Sequence, residues 1–87
     1  MNAYTLMIEA QDRPAMLERL LRTTRHRGFA IRDLHLAAVD GSDSVTISLT
    51  VTGERPVHLL TSQLDKLVDV ASLVVKKSLS QPLTITA

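Results

Sequence analysis

The chain has 87 residues, a formal net charge of +1 at pH 7 and no cysteine, which predicts one small domain without disulfides, thiolate metal sites or cysteine nucleophiles. A charge so close to zero disfavours nucleic acid or a membrane as the main partner, because both usually require a strong positive field. No apolar run approaches the ~20 residues that span a bilayer and the N-terminal segment lacks the basic start of a signal peptide, so we expect a cytoplasmic protein.

The first third of the chain reads as a strand followed by a helix. Alternating apolar and polar residues predict a strand over Tyr4–Ala10. Asp12 is expected to cap the next helix, with Pro14 in its first turn. Apolar residues at helical spacing continue the helix to Gly28, where a left-handed residue is expected to end it. Phe29 then anchors the turn in the core.

The remainder predicts a hairpin, a second helix and a last strand. Alternation over Ala30–Val39 and Ser44–Thr52, with turn residues between them, indicates an antiparallel hairpin. A second three-turn helix is expected to open at Gly53–Pro56 and to continue through Leu67. Val70–Leu79 is predicted as a strand with apolar side chains on both faces.

The element order β-α-β-β-α-β predicts an α+β, ferredoxin-like fold. With right-handed crossovers, a four-stranded antiparallel sheet carries both helices on one face. We assign residues 1–79 to this domain and residues 80–87 to a C-terminal tail. The sheet face without helices has mixed Met, Thr and Val character, so it is expected to pair with another surface, first of all in a symmetric homodimer.

Arginines cluster at the end of the predicted first helix and just beyond it. Five of the ten Lys and Arg lie between Arg19 and Arg32. They either complement the helix dipole, or bind an acidic protein partner, or bind nucleic acid. RNA recognition on this fold needs aromatic side chains for base stacking, and the chain has only Tyr4 and Phe29. The candidates for protein docking are Arg22, Arg25, Arg27 and Arg32.

Neither a metal site nor a catalytic centre is predicted. His26, His35 and His58 fall on three different elements without a neighbouring ligand, whereas a metal needs converging ligands. The chain has no nucleophile elbow, no carboxylate pair with the local context of acid–base chemistry and no Gly-rich phosphate loop. A non-catalytic protein is therefore expected.

The segment Gln11–Met16 is the other candidate site. It joins a strand to the N-terminus of a helix, where free backbone amides can receive a carboxylate. It is either an ordinary helix start or a small-molecule site.

Two stretches of the sequence carry a family resemblance. Gln11-Asp12-Arg13-Pro14 with Leu17, and Arg27–Leu34, resemble the NRPG-x-L and RRGFNI-x-SL patterns of ACT domains, regulatory modules that often bind amino acids at dimer interfaces. Gln63–Val70 is similar to the QL-x-KLVDV segment of acetolactate synthase (acetohydroxyacid synthase) small subunits. The resemblance covers about residues 5–77, and the chain ends soon afterwards, as in short members of that family.

The resemblance implies a regulatory, activating subunit that performs no chemistry itself. The implied partner is the large catalytic subunit, which carries thiamine diphosphate, Mg²⁺ and FAD and condenses pyruvate with a second 2-oxo acid toward valine, leucine and isoleucine. The alternative is a stand-alone amino-acid-sensing ACT module that controls another enzyme. The resemblance also places an effector pocket at Asp12, Arg13, Pro14, Ala15, Met16, Ala30 and Ile31.

Two of these pocket positions depart from the family pattern. Ala15 stands where the family has Gly, and its methyl group is expected to crowd the backbone amides of the loop. Ala30 stands where the family has Asn, so an amide that could bind an effector is missing. We therefore expect a subunit that activates its partner but confers little or no inhibition by valine.

Overall fold

The computed structural model of the chain describes residues 2–77, which form one four-stranded sheet and two helices. The elements in chain order are β1 (Asn2–Gln11), α1 (Met16–His26), β2 (Ala30–Ala38), β3 (Ser44–Gly53), α2 (His58–Leu64) and β4 (Val70–Lys77). The strands pair antiparallel in the order β2-β3-β1-β4. This arrangement confirms the ferredoxin-like fold that the element order predicts.

The core lies between the sheet and the two helices, as the alternation along the strands predicts. On β3, Val45 is 1% exposed, and Ile47, Leu49 and Val51 are wholly buried, while the residues between them are half-buried on the other face. Leu6 and Ile8 of β1 extend this apolar surface. The helices cover it with Met16, Leu20, Leu60 and Leu64. Burying each such side chain is worth about 1.5–3 kcal/mol, so this layer carries most of the fold's stability.

Helix α1 ends as predicted, at a left-handed glycine. Gly28 has φ 88°, and its N–H donates to the Arg25 carbonyl at 3.0 Å, while the Phe29 N–H donates to the Thr24 carbonyl at 3.2 Å. These two bonds form a Schellman motif, which satisfies carbonyls that the helix would leave free. Phe29 is only 3% exposed, so the anchoring role predicted for it is confirmed.

Gly53 has a different role from the one predicted. It ends β3 instead of opening the second helix, and a Cβ built on it would lie 2.7 Å from a ring carbon of Phe29. Real Cβ atoms essentially never approach another atom so closely. The missing side chain therefore makes room for the buried ring.

The second helix is shorter than predicted. Helix α2 has seven residues and ends at Leu64, where a turn follows instead of another helical turn. Val57 and Leu67 lie outside the helix, yet both still pack partly buried against the core. The apolar spacing thus identified core residues correctly but overestimated the length of the helix. The predicted strand ending at Leu79 and the tail of residues 80–87 extend into residues 78–87, which lie outside the described part.

The sheet face opposite the helices is polar with a few apolar side chains. Thr50 and Thr5 share a side-chain hydrogen bond of 3.3 Å across β1 and β3. Met7 is half-buried there, and Val74 of the neighbouring strand is 56% exposed. Within residues 2–77, no helix is long and apolar enough to cross a membrane.

Candidate functional site

The loop between β1 and α1 is a tight turn with a strained residue. The Met16 N–H donates to the Arg13 carbonyl at 3.1 Å, Pro14 is the second residue of the turn, and Ala15 is the third, with φ 66° and ψ 3°. This is the geometry of a type II turn, whose third residue is usually Gly because φ is positive. In the left-handed region an L-residue costs about 1–2 kcal/mol.

The prediction that Asp12 caps the helix is wrong. Helix α1 begins at Met16, its N-terminal cap residue is Ala15, and no side chain makes a capping hydrogen bond. Pro14 lies in the preceding turn and not in the first helical turn. The backbone N–H of Asp12 instead donates to the Asp43 carbonyl at 2.7 Å, which ties the loop to the turn between β2 and β3.

A buried carboxylate fixes the same loop from the other side. The side chain of Asp69 is 7% exposed, and its Oδ1 lies 3.3 Å from Nε of Arg13, while Oδ2 lies 3.8 Å from an Nη of Arg19. The Asp69 carbonyl also accepts the Gln11 N–H at 2.8 Å. The Arg13 side chain is therefore engaged within the chain. The sequence carries one local signal for this cluster, an Asp within the apolar run Leu67–Val70.

The structure does not bring the predicted pocket residues together within one chain. The loop follows Gln11, which pairs with Ser44 at the start of β3, whereas Ala30 pairs with Thr52 near its end. Eight residues of strand separate those two positions, about 26 Å. The pocket positions therefore form two groups at opposite ends of the sheet.

The pocket positions also differ in how accessible they are. Asp12, Pro14 and Ala15 are exposed, and so is Ala30. Met16 is 3% exposed and belongs to the core. Ile31 of β2 is partly buried and also packs against the core.

The docking candidates separate onto two surfaces. Arg22 and Arg25 lie exposed on the last turns of α1, and Arg27 follows at its C-terminal cap. Arg32 lies at a bulge in β2, where its Nε donates to Oγ1 of Thr52 at 3.3 Å. Thr52 belongs to the helix-free face of the sheet, so Arg32 points away from the other three.

The three histidines lie on three different elements, His26 on α1, His35 on β2 and His58 on α2. His35 Nε2 is 3.1 Å from Oδ2 of Asp33, and both side chains are exposed. Within residues 2–77, no group of three or more His, Cys, Asp or Glu is placed to hold a metal ion.

Comparison with known proteins identifies the family. The family model described as "ACT domain" matches residues 12–73. The acetolactate synthase isozyme 2 small subunit of Escherichia coli K12 is 42% identical over 78 residues, which cover 90% of both chains. The chain belongs to the ACT domain family, among the acetolactate synthase small subunits. The family also includes longer relatives, such as the acetolactate synthase small subunit of Mycobacterium bovis, which is 32% identical over 84% of this chain and 44% of its own length.

Solved structures agree with the ACT domain fold. The ACT domain of the GTP pyrophosphokinase of Chlorobium tepidum superposes with a TM-score of 0.73 over 87% of this chain and all of that domain, at 18% identity. A homoserine dehydrogenase from Thiobacillus denitrificans gives a TM-score of 0.72 over 87% of this chain and 17% of the enzyme, at 24% identity. At such identities the likeness concerns the fold alone.

Proposed function

We propose that this chain is the non-catalytic regulatory subunit of an acetolactate synthase, and that it binds a large catalytic subunit and raises its activity. The observation that supports this most directly is 42% identity over 90% of the chain to the small subunit of an acetolactate synthase isozyme, with the same share of that relative covered. In this proposal the thiamine diphosphate, Mg²⁺ and FAD belong to the large subunit. No residue of this chain is assigned a chemical step.

Activation by a subunit that performs no chemistry needs a physical route. A partner that binds one conformation of the large subunit better than another shifts the population toward it, by no more than the difference in binding free energy. We propose that docking of this chain favours the catalytically competent arrangement of the large subunit.

We also propose that the chain acts as a homodimer. The two groups of pocket positions lie about 26 Å apart in one chain, so a pocket that includes both Ala15 and Ala30 requires two chains. In a two-fold symmetric pair, the same surface of each copy contacts the other, and an antiparallel arrangement brings the loop end of one copy to the Ala30 end of the other. Light scattering of the purified chain should give twice the monomer mass, and a monomeric mass at micromolar concentration would contradict the dimer.

The proposed subunit gives little or no response to valine. Arg13 is paired with Asp69, and Ala30 offers no side-chain amide. Ala15 adds a methyl group at a turn position that favours Gly. Isothermal titration of the reconstituted complex with valine should show no saturable heat, and tight binding would contradict this part of the proposal.

Reconstitution with the large subunit tests the function as a whole. Acetolactate formation by the large subunit is measured alone, with this chain, and with this chain plus valine. We expect this chain to increase the rate, and valine to leave the increased rate unchanged. No increase, together with amino-acid binding by the isolated chain, would favour a stand-alone sensing module. The double variant Ala15→Gly with Ala30→Asn should restore part of a valine response.

A further inference from the structure

A cluster of exposed arginines lies around the C-terminal end of α1. Arg22 and Arg25 lie on the helix, and Arg27 at its cap. Arg55, which follows β3, belongs to the same surface, because a Cβ built on Gly28 would lie 3.3 Å from both Cδ and Nε of Arg55. We call the four residues Arg22, Arg25, Arg27 and Arg55 the basic surface. The sequence gives no local signal for this proximity, because Arg55 lies 28 positions after Arg27 in the chain.

Within residues 2–77, the arginines of the basic surface take part in no ion pair. Among residues 2–77, the ion pairs within 4 Å join Arg13 and Arg19 to Asp69 and His35 to Asp33. All four residues of the basic surface are exposed. Arg presents a planar set of donors that can bind a carboxylate with two parallel hydrogen bonds.

A shallow groove runs through this surface. One depression is lined by Glu18, Leu21, Arg22, Arg25 and His26, and a second by Arg22, Thr23, His26, Arg27 and Gln63. Because Arg22 and His26 border both, the two depressions adjoin one another and lead from the outer side of α1 toward α2. Such an extended, open groove fits a chain segment better than a small enclosed ligand.

We infer that the basic surface docks an acidic segment of the large catalytic subunit, with carboxylates that pair with Arg22, Arg25 and Arg55. This inference rests on the proposed function and specifies the contact through which it acts. Charge complementarity selects this partner, since it sets orientation and association rate. Arg32, on the other face of the sheet, is not part of the contact.

The test measures how much of this chain is needed for half-maximal activation of the large subunit. The variant Arg22→Glu with Arg25→Glu should raise that concentration at least 10-fold, and Arg55→Glu at least 3-fold. Added salt should weaken activation by the wild-type chain, because salt screens exposed charges. Activation by the variants should depend less steeply on salt. Lys66→Glu reverses the charge of an exposed residue in the turn after α2; it is the matched control and should leave the concentration unchanged.

Several outcomes would overturn the inference without affecting the proposed function. The inference fails if the charge-reversed variants reach half-maximal activation at the wild-type concentration. It also fails if Lys66→Glu raises that concentration as much as they do. Loss of self-association in those variants would reassign the surface to contact between two copies of this chain. The basic surface would instead bind nucleic acid if two results occurred together. The wild-type chain would co-purify with nucleic acid, and the variants would lose it while they still activate the large subunit normally.

The controls separate misfolding and a wrong function from a wrong surface. Glutamate near a helix C-terminus opposes the helix dipole, so Arg22→Gln with Arg25→Gln is tested alongside and should also raise the half-maximal concentration. Melting curves of each isolated variant check the fold. If the wild-type chain itself fails to activate the large subunit, the proposed function fails.

Discussion

The two ends of helix α1 differ in whether their arginines form ion pairs and in which residue occupies the position with positive φ. At the N-terminal end, Arg13 and Arg19 are held by the buried Asp69, and the left-handed position is occupied by Ala15. At the C-terminal end, Gly28 occupies the left-handed position, and the neighbouring arginines face solvent. The first end stores backbone strain and compensates it with long-range contacts, whereas the second is closed by local hydrogen bonds and keeps its arginines exposed.

The comparison shows why residue type alone does not assign a role. Arg13 and Arg25 are both exposed arginines near a helix end, yet one is engaged in an internal ion pair and the other is not. What distinguishes them is a buried carboxylate contributed by a distant part of the chain. The following four changes test the contrast between the two ends, beginning with the largest expected effect.

The C-terminal end depends on the buried ring of Phe29. Phe29→Ala should lower the free energy of unfolding by about 3–5 kcal/mol, because it removes a large side chain from a packed core. Urea unfolding of the isolated chain measures the change. A loss below 1 kcal/mol would mean that this end does not depend on the ring.

The N-terminal end depends on the charge of Asp69. Asp69→Asn keeps the shape but removes the charge that Arg13 and Arg19 contact, and it should cost about 1–2 kcal/mol, since hydrogen bonds to charged groups are worth about 1.5–3 kcal/mol and both arginines are partly solvated. Asp65→Asn is the matched control, an exposed carboxylate four residues earlier. Equal effects of the two changes would show that the ion pairs contribute nothing specific.

Exchange of glycine for alanine at the second end should destabilise the chain. Gly28→Ala places a Cβ at φ 88° and 3.3 Å from the Arg55 side chain, so we expect a loss of about 1 kcal/mol from the left-handed backbone. Gly41→Ala has a similar φ of 77° and no atom within 4 Å. The difference between the two unfolding free energies therefore isolates the contact with Arg55.

Exchange of alanine for glycine at the N-terminal end of α1 should stabilise the folded chain. Ala15→Gly relieves the left-handed strain of about 1–2 kcal/mol, offset in part by the greater freedom of Gly in the unfolded chain. We expect a net gain of about 0.5–1 kcal/mol, seen as a higher urea midpoint with an unchanged slope. A lower midpoint would contradict the turn geometry of the loop.

Local patterns in the sequence predicted most of the fold. The alternation along β3 and the cap at Gly28 depend on neighbours within a few residues, so the sequence alone reveals them. Asp12 looked like a helix cap for the same local reason, but the turn at Pro14 and Ala15 moves the helix start beyond its reach. Nothing in the side chain of alanine signals a positive φ.

The candidate site was less predictable because its contacts are long-range. Fifty-six residues separate Arg13 from Asp69, and the packing of Gly53 against Phe29 depends on two elements meeting in space. The family resemblance pointed to the loop and to Ala30 together, but the sheet register separates them. Only the strand pairing shows that both cannot line one pocket in a single chain.

The long-range contacts of the loop between β1 and α1 also affect the order in which parts of the domain fold. Two of its hydrogen bonds run to Asp43 and Asp69, both far along the chain. Contacts of high sequence separation form late because loop-closure entropy opposes them. The hydrogen bond from Gln11 to Asp69 and the ion pair between Arg13 and Asp69 can form only after these distant parts of the chain have met. We therefore expect the long-range ties of this loop to form after the cap at Gly28, whose hydrogen bonds join residues only three and five positions apart.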